Sequence, residues 1–145
     1  MYTFVPVGRI VSNILVYTKN FFYEHGMTSR NVQRYIALLM ESRNQAHAYH
    51  LTTTSYAMHK ALRKYYEGIV PLFDSYAEAY MGKYGRLGRI AVLRRRRMLK
   101  DPRAYFRTLT AAIRRLKLPR NTALRSIQDD IMVLIRSTMY MLTLR

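Results

Sequence analysis

Between residues 47 and 78 the chain reads HAYHLTTTSYAMHKALRKYYEGIVPLFDSYAE, a segment that holds the end of one helix, a break and most of a second helix. His47 and His50 stand three residues apart and continue the apolar stripe of Val32, Tyr35, Ile36, Leu39 and Ala46. One helix with a single buried face is therefore expected up to His50, capped at its start by Thr28 or Ser29. Leu51 to Ser55 ends it, because three consecutive threonines lose side-chain freedom in a helix and compete for its backbone hydrogen bonds. Thr54 or Ser55 then caps a helix predicted to reach about Met81. Its inner face would carry His59, Leu62 or Arg63, Tyr66, Val70, Phe73 or Asp74, and Ala77 or Glu78. Pro71 is expected to kink it, since its nitrogen has no hydrogen to donate and its ring crowds the preceding turn.

Upstream, Val7, Ile10, Val11, Ile14, Thr18, Phe21 and Phe22 recur at three-and-four spacing, which predicts a separate amphipathic helix over residues 7–24 closed by Gly26. Downstream, Gly82, Gly85 and Gly88 interrupt the pattern until Asp101-Pro102, where proline suits the first position of a helix running from Pro102 to Lys117. After Pro119, Asn121 or Thr122 caps a last helix with Ile127, Ile131, Leu134, Ile135, Thr138 and Leu142 on one face. No alternating strand pattern competes. Amphipathic helices with short links and polar groups on their inner faces predict an all-α four-helix bundle over residues 28–145, preceded by an N-terminal arm over residues 1–27. The basic stretch between the second and third bundle helices forms a helical or loop insertion.

A chain of 145 residues, half of them apolar, can bury one core without staples. It has no cysteine, so disulfides and thiolate metal sites are excluded. The uncharged run between Arg9 and Lys19 is only nine residues, too short for a signal sequence or a membrane span. A protein that is not secreted and has no transmembrane segment is expected. The glycines lack a following Lys-Ser or Lys-Thr and follow a helix, which excludes a phosphate loop. No serine is set against a histidine and an acid, so a nucleophilic triad is not indicated.

The formal charge of +17 destabilises a compact chain by self-repulsion and calls for a negatively charged partner. Its distribution is uneven. From Lys83 to Arg125 there are 15 of the 25 basic residues against one acid, Asp101, so this segment carries +14 of the +17. Arg86, Arg89, the run Arg94, Arg95, Arg96 and Arg97, and Lys100 precede that acid. Arg103, Arg107, Arg114, Arg115, Lys117 and Arg120 follow it. These are the candidate polyanion contacts. Arginine dominates, and its planar fork engages phosphate oxygens two at a time. A solvated face is the ordinary use of a charge run, but it does not account for so few acids. Tyr84, Tyr105 and Phe106 interleave with the cations, available for stacking on bases or for packing in a core. No zinc finger, basic zipper or ribonucleoprotein signature is present, so binding to nucleic acid would be nonspecific and salt-sensitive.

His47-Ala48-Tyr49-His50, then His59 nine residues on, then Asp74 and Glu78 at plus 15 and plus 19 from His59, resemble the metal-site pattern of the Dps mini-ferritins, the DNA-binding proteins from starved cells. Tyr140-Met141-Leu142 is similar to the Trp-Met-Leu that closes many such chains, whereas Leu51 replaces the tryptophan after the second histidine. The run Thr52 to Tyr84 resembles ferritin-like proteins encoded by bacteriophages and large DNA viruses. The likeness covers roughly residues 30–145, leaving out the N-terminal helix and Arg94 to Arg97. It implies a ferritin-like bundle and an iron-oxidising site shared across a two-fold axis, with His50 and His59 of one chain facing Asp74 and Glu78 of another and His47 close by. Where the family has a carboxylate one turn after His59, this chain has Arg63, a permanent cation that would pair with the acids a metal needs.

Histidines at i and i+3 on an apolar face are most often core residues, and Glu67, four residues after Arg63, offers that arginine an ordinary helical ion pair. A nonenzymatic, virus-encoded structural protein without a cofactor is accordingly ranked ahead of a working ferroxidase that would use iron and shield DNA. The expected partners are nucleic acid or an acidic protein surface, together with further copies of the chain or capsid proteins. An acidic membrane surface is a third partner class for the basic segment. The expected location is the virion or the host cytoplasm.

Overall fold

The computed structural model describes the backbone of residues 7–93 and 99–144, and the side chains of residues 28–93 and 99–144. Arg94, Arg95, Arg96 and Arg97, and the apolar side chains predicted to stripe residues 7–22, lie outside the described side chains. Among the described residues the protein is all-helical, with α1 (Val7–Thr52), α2 (Tyr56–Tyr84), α3 (Pro102–Arg114) and α4 (Thr122–Met141) and no strand.

The turn chemistry works largely as the sequence predicts. Ser55 caps α2 by accepting from the Met58 amide at 3.3 Å, Asp101 caps α3 by accepting from the Arg103 amide at 2.9 Å, and Asn121 caps α4 by accepting from the Leu124 amide at 3.3 Å. Pro102 follows its cap at the start of α3, where its missing N–H is no loss. That helix ends at Arg114, short of Lys117, and closes with i→i−3 bonds from the Arg115 and Leu116 amides.

The break predicted at Gly26 is not there. The helix α1 runs through Gly26, Thr28 and Ser29 for 46 residues, so the N-terminal segment continues the first bundle helix instead of forming a separate one. An internal glycine costs a helix only about 1 kcal/mol relative to alanine, and no proline reinforces it, so helix formers on both sides carry the backbone through.

The side-chain contacts fix the topology. At one end, Tyr49 donates to the Leu99 carbonyl at 2.7 Å and its ring lies 6.0 Å from that of Tyr105; at the other, Asn31 donates to the Lys117 carbonyl. Thus α3 runs antiparallel to α1. The His50–His59 and Tyr35–Tyr76 contacts make α2 antiparallel to α1 as well, so α2 and α3 run the same way. On α4, Gln128 donates to the Tyr76 hydroxyl, while Met141 and Leu144 sit near Ala57 and Ala61, which sets α4 antiparallel to α2. Each helix packs against two others in the cyclic order α1, α2, α4, α3. The segment between α2 and α3 therefore crosses the length of the bundle, anchored where Gln33 donates to the Leu87 carbonyl and again at Leu99.

Val32, Tyr35, Ile36, Leu39, Ala46 and His50 are buried as predicted, and so are Ile131, Ile135 and Thr138 on α4 and Leu142 at its C-terminal cap. The inner face of α2 differs. Its buried residues are Ala61, Leu62, Tyr65, Ile69, Phe73, Tyr76 and Tyr80, so Tyr66, Val70 and Ala77 flank the core, while Arg63, Asp74 and Glu78 are exposed. Because α2 is clasped between α1 and α4, its buried arc is set by two neighbours, and the apolar pattern alone left the centre of that arc ambiguous by about one residue. Gly68 lies where α4 comes closest, and a Cβ there would stand 3.3 Å from Leu134.

Candidate functional site

The link between α1 and α2 is only three residues, so it folds the end of one helix back on the start of the next and brings the histidines together. The His50 and His59 rings stack at 3.7 Å between centroids. His50 Nδ1 is 2.9 Å from the His59 carbonyl, and His59 Nδ1 is 3.1 Å from the His50 carbonyl. A carbonyl only accepts, so each Nδ1 carries the proton and donates. His47 stacks on Tyr66 at 4.3 Å, and Tyr66 meets His50 edge-on at 5.2 Å. The Arg43 guanidinium lies 5.7 Å from the Tyr66 ring centre. The three histidines thus form one cluster, and Tyr66 ties it together.

Asp74 and Glu78 are exposed on α2, about 22 and 28 Å along the helix axis from His59 at 1.5 Å per residue. They do not join the histidines within one chain; the arrangement implied by the resemblance would draw them from a two-fold partner. Among the described residues no group of three or more histidine, aspartate or glutamate side chains is arranged to hold a metal ion. Arg63, where a carboxylate would serve a metal, donates to Glu67 at 2.8 Å, the helical ion pair expected from the i, i+4 spacing, and both side chains are half-exposed. The single-chain donor set among the described residues, two stacked imidazoles with no carboxylate beside them, does not fit iron, which favours imidazole and carboxylate together.

The basic face is built differently. Arg86, Arg89, Lys100, Arg103, Arg107, Arg114, Arg115, Lys117 and Arg120 are all exposed. On α3, Tyr105, Phe106, Leu109 and Ile113 are buried, while Arg103, Arg107 and Arg114 fall within an arc of about 40° that lies about 125° round the helix from the buried face at 100° per residue. Packing of the apolar side therefore aligns three guanidinium groups along α3. Asp101 meets two of them, Arg103 at 3.3 Å and Arg107 at 3.8 Å. Its partial burial opposes ionisation, but the Arg103 amide and the two guanidinium groups outweigh that and hold the carboxyl below its ordinary range. One acid cannot neutralise three arginines, so the α3 face stays cationic. Tyr105 and Phe106 are fully buried, which removes them as stacking platforms for bases and assigns them to the core. Tyr84 is half-buried beside Tyr80, with the Lys83 ammonium 5.6 Å from its ring centre.

Polar groups that the sequence did not single out also hold the interior together. Ser42 and Tyr65 share a buried hydrogen bond of 2.7 Å, and Tyr105 donates to Glu41. Tyrosine fills much of this core: the chain has 13 tyrosines and no tryptophan, and Tyr35, Tyr49, Tyr65, Tyr76, Tyr80 and Tyr105 are buried.

A family model matches residues 50–142, and its description is a family of unknown function, DUF5856. The chain belongs to this family. The DUF5856 match begins at His50 and takes in His59, Arg63, the crossover and both C-terminal helices, so the histidine stack and the α3 arginine face lie within it or at its edge. No curated protein and no solved structure matches the chain. Among the described residues of this DUF5856 member, no helix is long and apolar enough to cross a membrane.

Proposed function

We propose that the protein is a nonenzymatic structural component, virus-encoded as the resemblance to phage and viral ferritin-like chains implies, whose arginine-rich face binds nucleic acid nonspecifically. The observation that carries this reading is the alignment of Arg103, Arg107 and Arg114 along one side of α3, with Asp101 paired to the first two among the described residues. Guanidinium forks at helical spacing suit successive backbone phosphates, and the sequence carries no base-reading motif. The ferritin-like scaffold is supported by the cyclic order α1, α2, α4, α3 with its single long crossover, a connectivity that ferritin-like bundles use. The role belongs to a virion or to the host cytoplasm, with other copies of the chain or capsid proteins as neighbours.

The test is duplex DNA binding as salt is raised from about 50 to 200 mM. Neutralising several phosphates predicts a steep fall in affinity over that range. Arg103→Ser with Arg107→Ser should flatten the slope, and an affinity indifferent to salt would remove the reading. Acidic vesicles and an acidic protein, run in parallel, separate DNA from those partners.

The histidine cluster favours a second reading, a mini-ferritin that oxidises iron at a site completed by a two-fold partner. Arg63 weighs against it. Ferrous iron added anaerobically and then exposed to air should give no ferric absorbance above buffer; a rise above the buffer rate would establish the second reading.

A further inference from the structure

Between α4 and the α3–α4 link, at the end of the basic face, lies a cavity of about 460 Å³. Four arginines line it: Arg114 at the end of α3, Arg120 in the link, and Arg125 and Arg136 on α4. Arg125, Asp129, Met132 and Arg136 sit at i, i+4, i+7 and i+11, so they share one face of α4, which is why two arginines far apart in sequence reach the same space. All four arginines are exposed, and among the described residues no carboxylate lies within ion-pair distance of any of them, although Asp129 is in the same wall. The remaining lining is apolar and partly open: Leu116, Leu118, Pro119 and Met132 are half-buried, with Tyr35 and Ile113 behind them. The Gln128 amide is held in place, donating to the Tyr76 hydroxyl at 3.1 Å and the Pro119 carbonyl at 3.4 Å, so its oxygen is left as an acceptor.

Unpaired guanidinium groups around a concave wall are an anion site, and the size and apolar floor call for more than a bare anion. We infer that this cavity binds one nucleotide, with its phosphates on Arg114, Arg120, Arg125 and Arg136 and its base against Leu118, Pro119 and Met132. Asp129 and the Gln128 oxygen supply acceptors for the amino or hydroxyl groups of such a ligand. The nucleotide is either free or a unit of a single strand. The cavity shares Arg114 with the α3 arginine face, whereas Arg125 and Arg136 lie on α4 and belong to the cavity alone.

The test uses the full chain at about 150 mM salt, with ATP, inorganic triphosphate, adenosine and a short single-stranded DNA as probes. ATP should bind once per chain and at least about tenfold tighter than triphosphate, with adenosine undetectable. Arg125→Ser with Arg136→Ser should weaken ATP by about tenfold or more, as loss of charge-assisted bonds requires. Arg103→Ser with Arg107→Ser should leave ATP binding unchanged and weaken duplex DNA. Both positions in α4 are exposed, and thermal melts together with an Arg136→Lys variant that keeps the charge show whether any loss comes from misfolding. Competition between ATP and the single strand for one site identifies the strand as a source of the nucleotide, and no competition identifies free nucleotide as the ligand. Equal affinity for ATP and triphosphate, several ATP per chain, or equal loss from both variant pairs would overturn the inference. Duplex DNA binding that survives such a result leaves the α3 face standing, and its loss alone leaves the cavity.

Discussion

His50 and His59 each donate through Nδ1 to the other's backbone carbonyl while their rings stack, so the α1–α2 corner is fastened by two reciprocal bonds and one shared ring contact. Either histidine changed to alanine removes its own hydrogen bond and the shared stack. Each single change should cost about 1–3 kcal/mol in urea unfolding, and the double change less than their sum by about 0.5–1.5 kcal/mol. Strict additivity would show that the stack contributes nothing. A second residue-scale prediction concerns Tyr76. Burial pushes its hydroxyl up to about 12, with Tyr80 and Tyr84 adding to the rise and the Gln128 hydrogen bond opposing it. A group whose folded value is raised stabilises the fold fully below its unfolded value of 10.0 and loses that contribution as pH climbs towards 12. Tyr76→Phe should therefore flatten the decline in unfolding free energy between about pH 10 and 12, measured by urea titration at fixed pH. An unchanged decline would mean that the phenol is already ionisable in the bundle. The proximity of the histidines was legible in their spacing and the short link, and Tyr66 was legible on the same side as His59; that its neighbour Tyr65 fills the core while Tyr66 stacks on the histidines was not, because only the packed helix separates two adjacent rings.

Helix starts are the part of the fold that the sequence specifies most directly, since Ser55, Asp101-Pro102 and Asn121 each satisfy amide groups locally and need no tertiary partner. Gly26 shows the opposite case: a lone glycine signals a helix end only when the following residues turn away, and here they do not. The facing of α2 depended on α1 and α4 together, which one helix's periodicity does not encode. The Asp101 cap makes an element-scale prediction. Its carboxyl is held below its ordinary value of 3.8, so it stabilises α3 above that pH and loses the contribution as pH falls through its lower folded value. Asp101→Ala should destabilise the protein at neutral pH by about 0.5–2 kcal/mol. Asp101→Asn keeps a capping oxygen and should remove only the acid-dependent part, seen as a smaller drop in stability below pH 3.8. If the alanine variant matches wild type at neutral pH, the cap does not hold the start of α3.

At the scale of the whole molecule, a charge of +17 on 145 residues would couple folding to the proposed polyanion binding in one equilibrium. The repulsion among exposed guanidinium groups on α3, α4 and the crossover opposes the compact state, and a polyanion that binds only the folded protein relieves it. That linkage stabilises by RT ln(1 + [L]/Kd), about 2.7 kcal/mol when free ligand is a hundredfold above Kd. For a domain of this size each kcal/mol moves the midpoint by roughly 2–4 °C, so saturating duplex DNA at low salt should raise Tm by about 5–10 °C. Sodium chloride acts on the same repulsion by screening, so it should raise the midpoint of the free protein while shrinking the increment from DNA, and the two melting curves should converge as the Debye length shortens. This convergence separates a specific electrostatic partner from general crowding, which would act alike at every salt concentration. A DNA increment that persists unchanged at 1 M salt, or that never appears at low salt, would detach the charge of this chain from nucleic-acid binding.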